Sequence, residues 1–124
     1  MIEIKSIKDA AIIKQHCLEN NVVFDENTKM NALMDKNEIQ EFLIFFNDHQ
    51  KGEVVFVSNL NNNYDFQISL IKAFMFSMDL KGVKTVLLPL SYSRFAKELG
   101  YKKADDKYIL NLEDYNFCSC KNQN

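Results

Sequence analysis

The stretch Phe66-Gln67-Ile68-Ser69-Leu70-Ile71-Lys72-Ala73-Phe74-Met75-Phe76-Ser77-Met78-Asp79-Leu80-Lys81-Gly82-Val83-Lys84-Thr85-Val86-Leu87-Leu88 decides the fold. Ile68, Leu70, Ile71, Phe74, Met75, Met78 and Leu80 recur at intervals of three and four, which lays an apolar stripe along one side of a helix running from about Phe66 to Leu80. Gly82 follows, and glycine there reaches the left-handed conformation that ends helices. Val83 to Leu90 is then an apolar, β-branched run of strand type. A deeply packed helix thus crosses back into a buried strand.

Upstream, polar turns at Asp35-Lys36-Asn37-Glu38 and Asn47-Asp48-His49-Gln50-Lys51-Gly52 separate three apolar segments, Met30 to Met34, Ile39 to Phe46 and Val54 to Val57. Short strands joined by such turns pair as an antiparallel meander from Met30 to Leu60. Ile2, Ile4 and Ile7 begin a strand, and Ser6 with Asp9 three residues later offers an N-cap for a first helix that uses Ala10, Ile13, Cys17 and Leu18 and stops at Asn20-Asn21. Downstream, Ser91 is placed to cap a short helix from Tyr92 to Leu99. Gly100 ends it, and Tyr101 and Tyr108 to Leu112 close the sheet. The order β, α, β, β, β, α, β, α, β predicts an α/β (α+β) fold, a mixed sheet with helices on both faces.

The chain has 124 residues, enough for one domain and too few for two. Residues 1–115 are assigned to it and 116–124 to a polar tail. A hydrophobic fraction of 47% supports an independent core. Fifteen basic against seventeen acidic residues give a net charge of -2, and the longest basic run is the pair Lys102-Lys103, so neither a nucleic acid nor an anionic membrane is expected as partner. The start Met1-Ile2-Glu3-Ile4-Lys5 lacks the basic-then-apolar pattern of a signal peptide, and Phe42 to Phe46 is far shorter than a membrane span; the expected location is cytoplasmic. Three cysteines, two of them in the tail, form no disulfide framework.

The segments Leu80 to Leu88 and Phe95-Ala96-Lys97-Glu98-Leu99-Gly100-Tyr101, in this element order, resemble the GNAT superfamily of N-acetyltransferases over about Ile2 to Leu112. Phe95, Leu99, Gly100 and the aromatic Tyr101 fit the family's string at the end of its short helix, and Asp35 to Ile39 resembles its turn between the second and third strands. The resemblance implies acetyl-CoA in the cleft where the fourth and fifth strands splay. Backbone groups at Val57, Ser58 and Asn59 would face the thioester, and the loop entering the central helix, with Tyr64, Asp65, Phe66, Gln67 and Ile68, would face pyrophosphate. This sequence departs from that pattern. Asp65 and Gln67 stand where the family has glycine, or glycine and alanine, and glycine there lets helix-end amides approach an anion. Asp65 is also a cap by type, so its oxygen could satisfy those amides itself. Ala96 stands where many members carry the Tyr that protonates the leaving thiolate. Tyr92, four residues earlier and one turn away, is the conceivable replacement.

Each candidate also has a structural reading. Tyr92 can serve as packing with a wet hydroxyl, Tyr64 as a cover for the loop, and Glu53, a conceivable general base, as a solvated strand-end residue. Cys118 and Cys120 could approach a soft metal but lack the remaining ligands, and no metal is assigned. His16 and His49 have no spacing partner and read as surface residues. The sequence leads to an acetyl-CoA-dependent N-acetyltransferase acting on a small amine or peptide amine; the alternative is a GNAT-fold binding or regulatory module with a degenerate cofactor loop that no longer binds acetyl-CoA. A homodimer through the exposed sheet is left open.

Overall fold

The computed structural model describes residues 2–115. They form β1 (Ile2–Ser6), α1 (Ala10–Glu19), β2 (Thr28–Asp35), β3 (Glu38–Asn47), β4 (Lys51–Val57), α2 (Tyr64–Leu80), β5 (Thr85–Pro89), α3 (Ser93–Leu99), β6 (Lys102–Ala104) and β7 (Lys107–Asn111). Seven strands make one sheet in the order β1-β2-β3-β4-β5-β7-β6. Neighbours run antiparallel except β4 and β5, which pair in parallel only at Lys51–Thr85, Gly52–Val86 and Glu53–Leu87. Beyond Glu53 the two strands have no further paired positions, and this divergence opens the sheet below the start of α2.

The turns are built as the sequence indicates. Lys36 and Asn37 both have positive φ, 55° and 69°, the conformation of a two-residue hairpin turn whose twist matches its strands. In the β3–β4 turn the Asp48 carboxylate accepts from the Gln50 and Lys51 amides, each at 3.0 Å. Gly82 and Gly100 have φ of 79° and 87° and stand at the C-terminal ends of α2 and α3.

Two apolar layers cover the sheet. On one face α2 and α3 bury Leu70, Ile71, Phe74, Met75, Met78, Phe95, Ala96 and Leu99 against Leu33, Leu43, Phe45, Val54, Val86 and Leu88. On the other, Ile13 and Cys17 of α1 meet Met30, Ala32, Phe42 and Ile44. The approach of α2 to β4 depends on Gly52, where a Cβ would lie 2.7 Å from the Met78 sulfur. Burial raises the pKa of the free Cys17 thiol.

Several local expectations are corrected. Asp9, not Ser6, caps α1 by accepting from the Ala11 amide at 2.9 Å, because β1 still includes Ser6. Leu18 is exposed, since the buried side of α1 runs along Ile13 and Cys17. Ser91 lies inside a 3-10 turn, Leu90–Tyr92, and makes no cap; α3 begins after Tyr92. His16 is half-buried, edge-on to Phe42 at 4.7 Å between ring centroids, with Nδ1 2.9 Å from the Ile12 carbonyl. Tyr101 is not in a strand but in the core, and the sheet closes with the β6–β7 hairpin. The Cys118 and Cys120 readings and the proposed tail lie outside the described residues. Among the described residues no group of three His, Cys, Asp or Glu side chains could hold a metal ion, and no helix is long and apolar enough to cross a membrane.

The Tyr101 hydroxyl is buried and has no hydrogen-bond partner among the described residues, and burial pushes its pKa upward. An unsatisfied buried hydroxyl costs about 1–3 kcal/mol. Tyr101→Phe, which removes only that oxygen, is therefore expected to stabilise the protein by about 1 kcal/mol in urea melts, and a loss of that size would show an unrecognised partner.

Candidate functional site

The divergence of β4 from β5 places the end of β4, the loop 58–63, the first turn of α2 and the start of α3 around one cleft. Val57 ends β4, and its amide donates to the Tyr92 hydroxyl at 2.9 Å. Tyr92 reaches it from the turn after β5, 35 residues away in sequence. Burial raises the Tyr92 pKa, partly offset by that amide, so the phenol stays neutral. Ala96 is fully buried in the core and presents no polar group.

The loop is held by a residue that the sequence reading did not single out. Glu41 on β3 is fully buried. By strand alternation it lies on the same face as Leu43 and Phe45, the face that α2 covers. Its carboxylate accepts from the Ser58 hydroxyl, from the Leu60 amide at 2.9 Å and from the Asn61 amide at 2.8 Å. Ser58 Oγ in turn accepts from the Phe42 amide at 2.8 Å. From the other side the Gln67 side-chain amide donates to the Ser58 carbonyl at 2.7 Å. A carboxylate thus sits inside the loop as its own anion. The signal in the sequence was a lone charge on an otherwise apolar strand face.

The cap of α2 is Asn63, whose side-chain oxygen accepts from the Phe66 amide at 3.1 Å. The capping role proposed for Asp65 is thereby corrected: Asp65 lies exposed in the first turn, where its negative charge is favourable to the helix dipole. Tyr64, next to the cap, is braced against α3. Its ring stacks on Phe95 at 5.0 Å with an 11° interplanar angle, the Arg94 guanidinium lies 3.7 Å from its centroid, and its hydroxyl donates to Glu98 at 2.6 Å. Its pKa is pushed up to about 12, by desolvation first and then by Glu98. Ile68 is buried below, and Asn59 is exposed on the loop.

The cleft therefore brings together Val57, Ser58, Tyr64, Gln67 and Tyr92. It does not include Glu53. That side chain sits four residues before the end of β4 and is ion-paired with Lys107 of β7. On the α1 side of the same strand end, an open hollow of about 360 Å3 is bordered by His16, Glu19, Phe56 and Asn59.

No sequence-family model matches the chain, and no curated protein matches it in sequence. Solved structures match it in shape. The spermidine/spermine N-acetyltransferase SpeG from Vibrio cholerae superposes with a TM-score of 0.70 at 9% identity, over 93% of this chain and 97% of that one. The ribosomal-protein-S18-alanine N-acetyltransferase from Escherichia coli gives 0.67 at 16% identity, over 90% and 93%. N-acetylglutamate synthase from Neisseria gonorrhoeae, solved with coenzyme A and N-acetyl-glutamate, gives 0.65 at 10% identity, over 90% of this chain and 35% of that one. With its seven-stranded mixed sheet splayed between β4 and β5, the chain has the fold of the GNAT N-acetyltransferase superfamily.

Proposed function

We propose that the protein is a binding or regulatory module on the GNAT fold whose acetyl-CoA cleft is filled by its own side chains. The hydrogen bond between the Val57 amide and the Tyr92 hydroxyl carries this reading. By resemblance that amide belongs to the group facing the thioester, and a thioester oxygen and the phenol cannot both take its single proton. The phosphate end fits no better. Glu41 takes the Leu60 and Asn61 amides, Asn63 takes the Phe66 amide, and Asp65 adds a carboxylate where pyrophosphate would arrive. Two like charges a few ångströms apart repel by several kcal/mol at the effective dielectric of about 20 found near protein surfaces. The residues present do not fit acetyl-CoA, and no catalytic step is assigned through it.

A second reading rests on Tyr92 alone. A neutral phenol at the mouth of the splay is in the form a proton donor needs. Under this reading the chain is an acetyl-CoA-dependent N-acetyltransferase for a small amine or peptide amine, as the solved proteins of this shape are named for spermidine, spermine and an alanine of a ribosomal protein. Glu19, beside the hollow on the α1 side, supplies a negative charge for an ammonium substrate.

The two separate in one assay. The protein is incubated with acetyl-CoA at about 1 mM, the upper end of ordinary KM values, with spermidine or with a peptide carrying an N-terminal alanine, and free thiol is followed colorimetrically. The module reading predicts thiol release equal to the protein-free blank. Release above the blank that Tyr92→Phe lowers by about ten-fold or more would overturn it in favour of the transferase.

A further inference from the structure

A cavity of about 400 Å3, within the range of small-molecule sites, opens among the start of α1, at Ala10 and Ile13, the chain after β1, β2 and the last turn of α2. It lies at the C-terminal end of α2, opposite the loop 58–63. It shares no residue with the Tyr92 cleft, so a ligand here is independent of whether that cleft takes acetyl-CoA.

Strand alternation puts Lys29, Asn31 and Leu33 of β2 on the covered face, and in register Lys29 faces Phe45 while Asn31 faces Leu43 on one side and Ser6 on the other. An apolar residue is what such a position calls for. Asn31 is instead only 7% exposed, and its carboxamide, which borders the cavity, makes no hydrogen bond to any other of the described residues. Its nitrogen and oxygen open onto the cavity rather than onto protein, so a polar group stands free on an otherwise apolar face, and proteins violate their own patterning where they bind something.

The charges around it point to the ligand. Lys8, Lys29 and Lys81 border the cavity, and none is ion-paired with a carboxylate among the described residues. Ser77, in the last turn of α2, and Lys81, which caps that end of the helix, both line it. Two carboxylates are present against these three lysines, Glu26 and Asp25, the latter accepting from the Asn27 amide at 2.8 Å and the Thr28 hydroxyl at 3.3 Å. The local balance is positive in a chain of net charge -2, so composition alone does not produce it. Phe24 and Phe45 supply apolar wall.

We propose that this cavity binds a small organic acid, its anionic group held among Lys8, Lys29 and Lys81, its hydrocarbon body against Phe24 and Phe45, and a polar atom hydrogen-bonded to Asn31. Carboxylates and phosphate monoesters share this chemistry, and the test separates them. Amide and side-chain NH2 signals of 15N-labelled protein are followed by NMR during titration with benzoate, with phenyl phosphate and with benzylamine. Saturable shifts below about 10 mM, centred on the Asn31 carboxamide and the Ser77 and Lys81 amides, are expected with at least one of the two acids and not with the amine. Whichever acid saturates at lower concentration names the source. Lys81→Ala is expected to weaken that binding several-fold at unchanged melting temperature. Asn31→Leu is expected to abolish it while raising the melting temperature by about 4 °C or more. Saturation with neither acid, an equal response to benzylamine, or wild-type affinity in Lys81→Ala would overturn the proposal. So would a lower melting temperature in Asn31→Leu, which would make the carboxamide a structural group.

Discussion

Glu41→Ala is expected to destabilise the protein by about 3–5 kcal/mol, read as a lower urea midpoint at unchanged slope. The carboxylate is fully buried and accepts three hydrogen bonds, from Ser58, Leu60 and Asn61. Hydrogen bonds to charged groups contribute about 1.5–3 kcal/mol each, and the loss is reduced here because water can reach the exposed loop residues once the carboxylate is gone. Glu41→Gln keeps the volume and one carbonyl acceptor but points an NH2 at a donor, so about half the loss is expected. If Glu41→Ala cost less than about 1 kcal/mol, the loop would not depend on its internal anion.

Phe74→Ala carries a comparable expected loss, about 3–5 kcal/mol. Phe74 is fully buried, its ring 4.9 Å from that of Phe45 at a 59° angle, and it packs directly on Gly52, where a Cβ would lie 3.1 Å from the ring. Truncation leaves a cavity that helix and sheet cannot close without moving α2 as a whole. A loss below about 1 kcal/mol would show that α2 is not seated through this residue.

Elements set by local pattern were legible in the sequence. The stripe from Ile68 to Leu80 and the stop at Gly82 gave α2 to within two residues of its start, Tyr64. The polar turn at Lys36-Asn37 placed the β2–β3 hairpin, and the string Phe95 to Tyr101 marked the end of α3. What stayed hidden depends on contacts distant in sequence. Asn63 and Asp65 are both good caps by type, and the choice falls to Asn63 because of where loop 58–63 enters the helix. Glu41 sits in a run, Ile39 to Phe46, that reads simply as buried strand, and its role appears only when β4 brings Ser58 alongside, 17 positions on. The cleft residues Val57, Tyr64 and Tyr92 were singled out through the resemblance, but that Tyr92 would take the Val57 amide, and Tyr64 the side chain of Glu98, required the packing of α3. Asn31 was passed over for the converse reason: a strand with polar residues between apolar ones leaves open which are turned inward.

The central claim is that the chain's own groups occupy the positions an acetyl-CoA molecule would need, and isothermal titration of the wild-type protein with acetyl-CoA tests it most directly. The account predicts no saturable heat up to about 1 mM. Asp65→Gly combined with Gln67→Gly, which removes the first-turn carboxylate and opens the helix end, should bring binding into range at a folding cost of about 1 kcal/mol per glycine, plus the loss of the Gln67 bond to Ser58. Micromolar binding by the wild type, weakened in the double glycine variant, would contradict the account and make loop 58–63 with the first turn of α2 a working phosphate site.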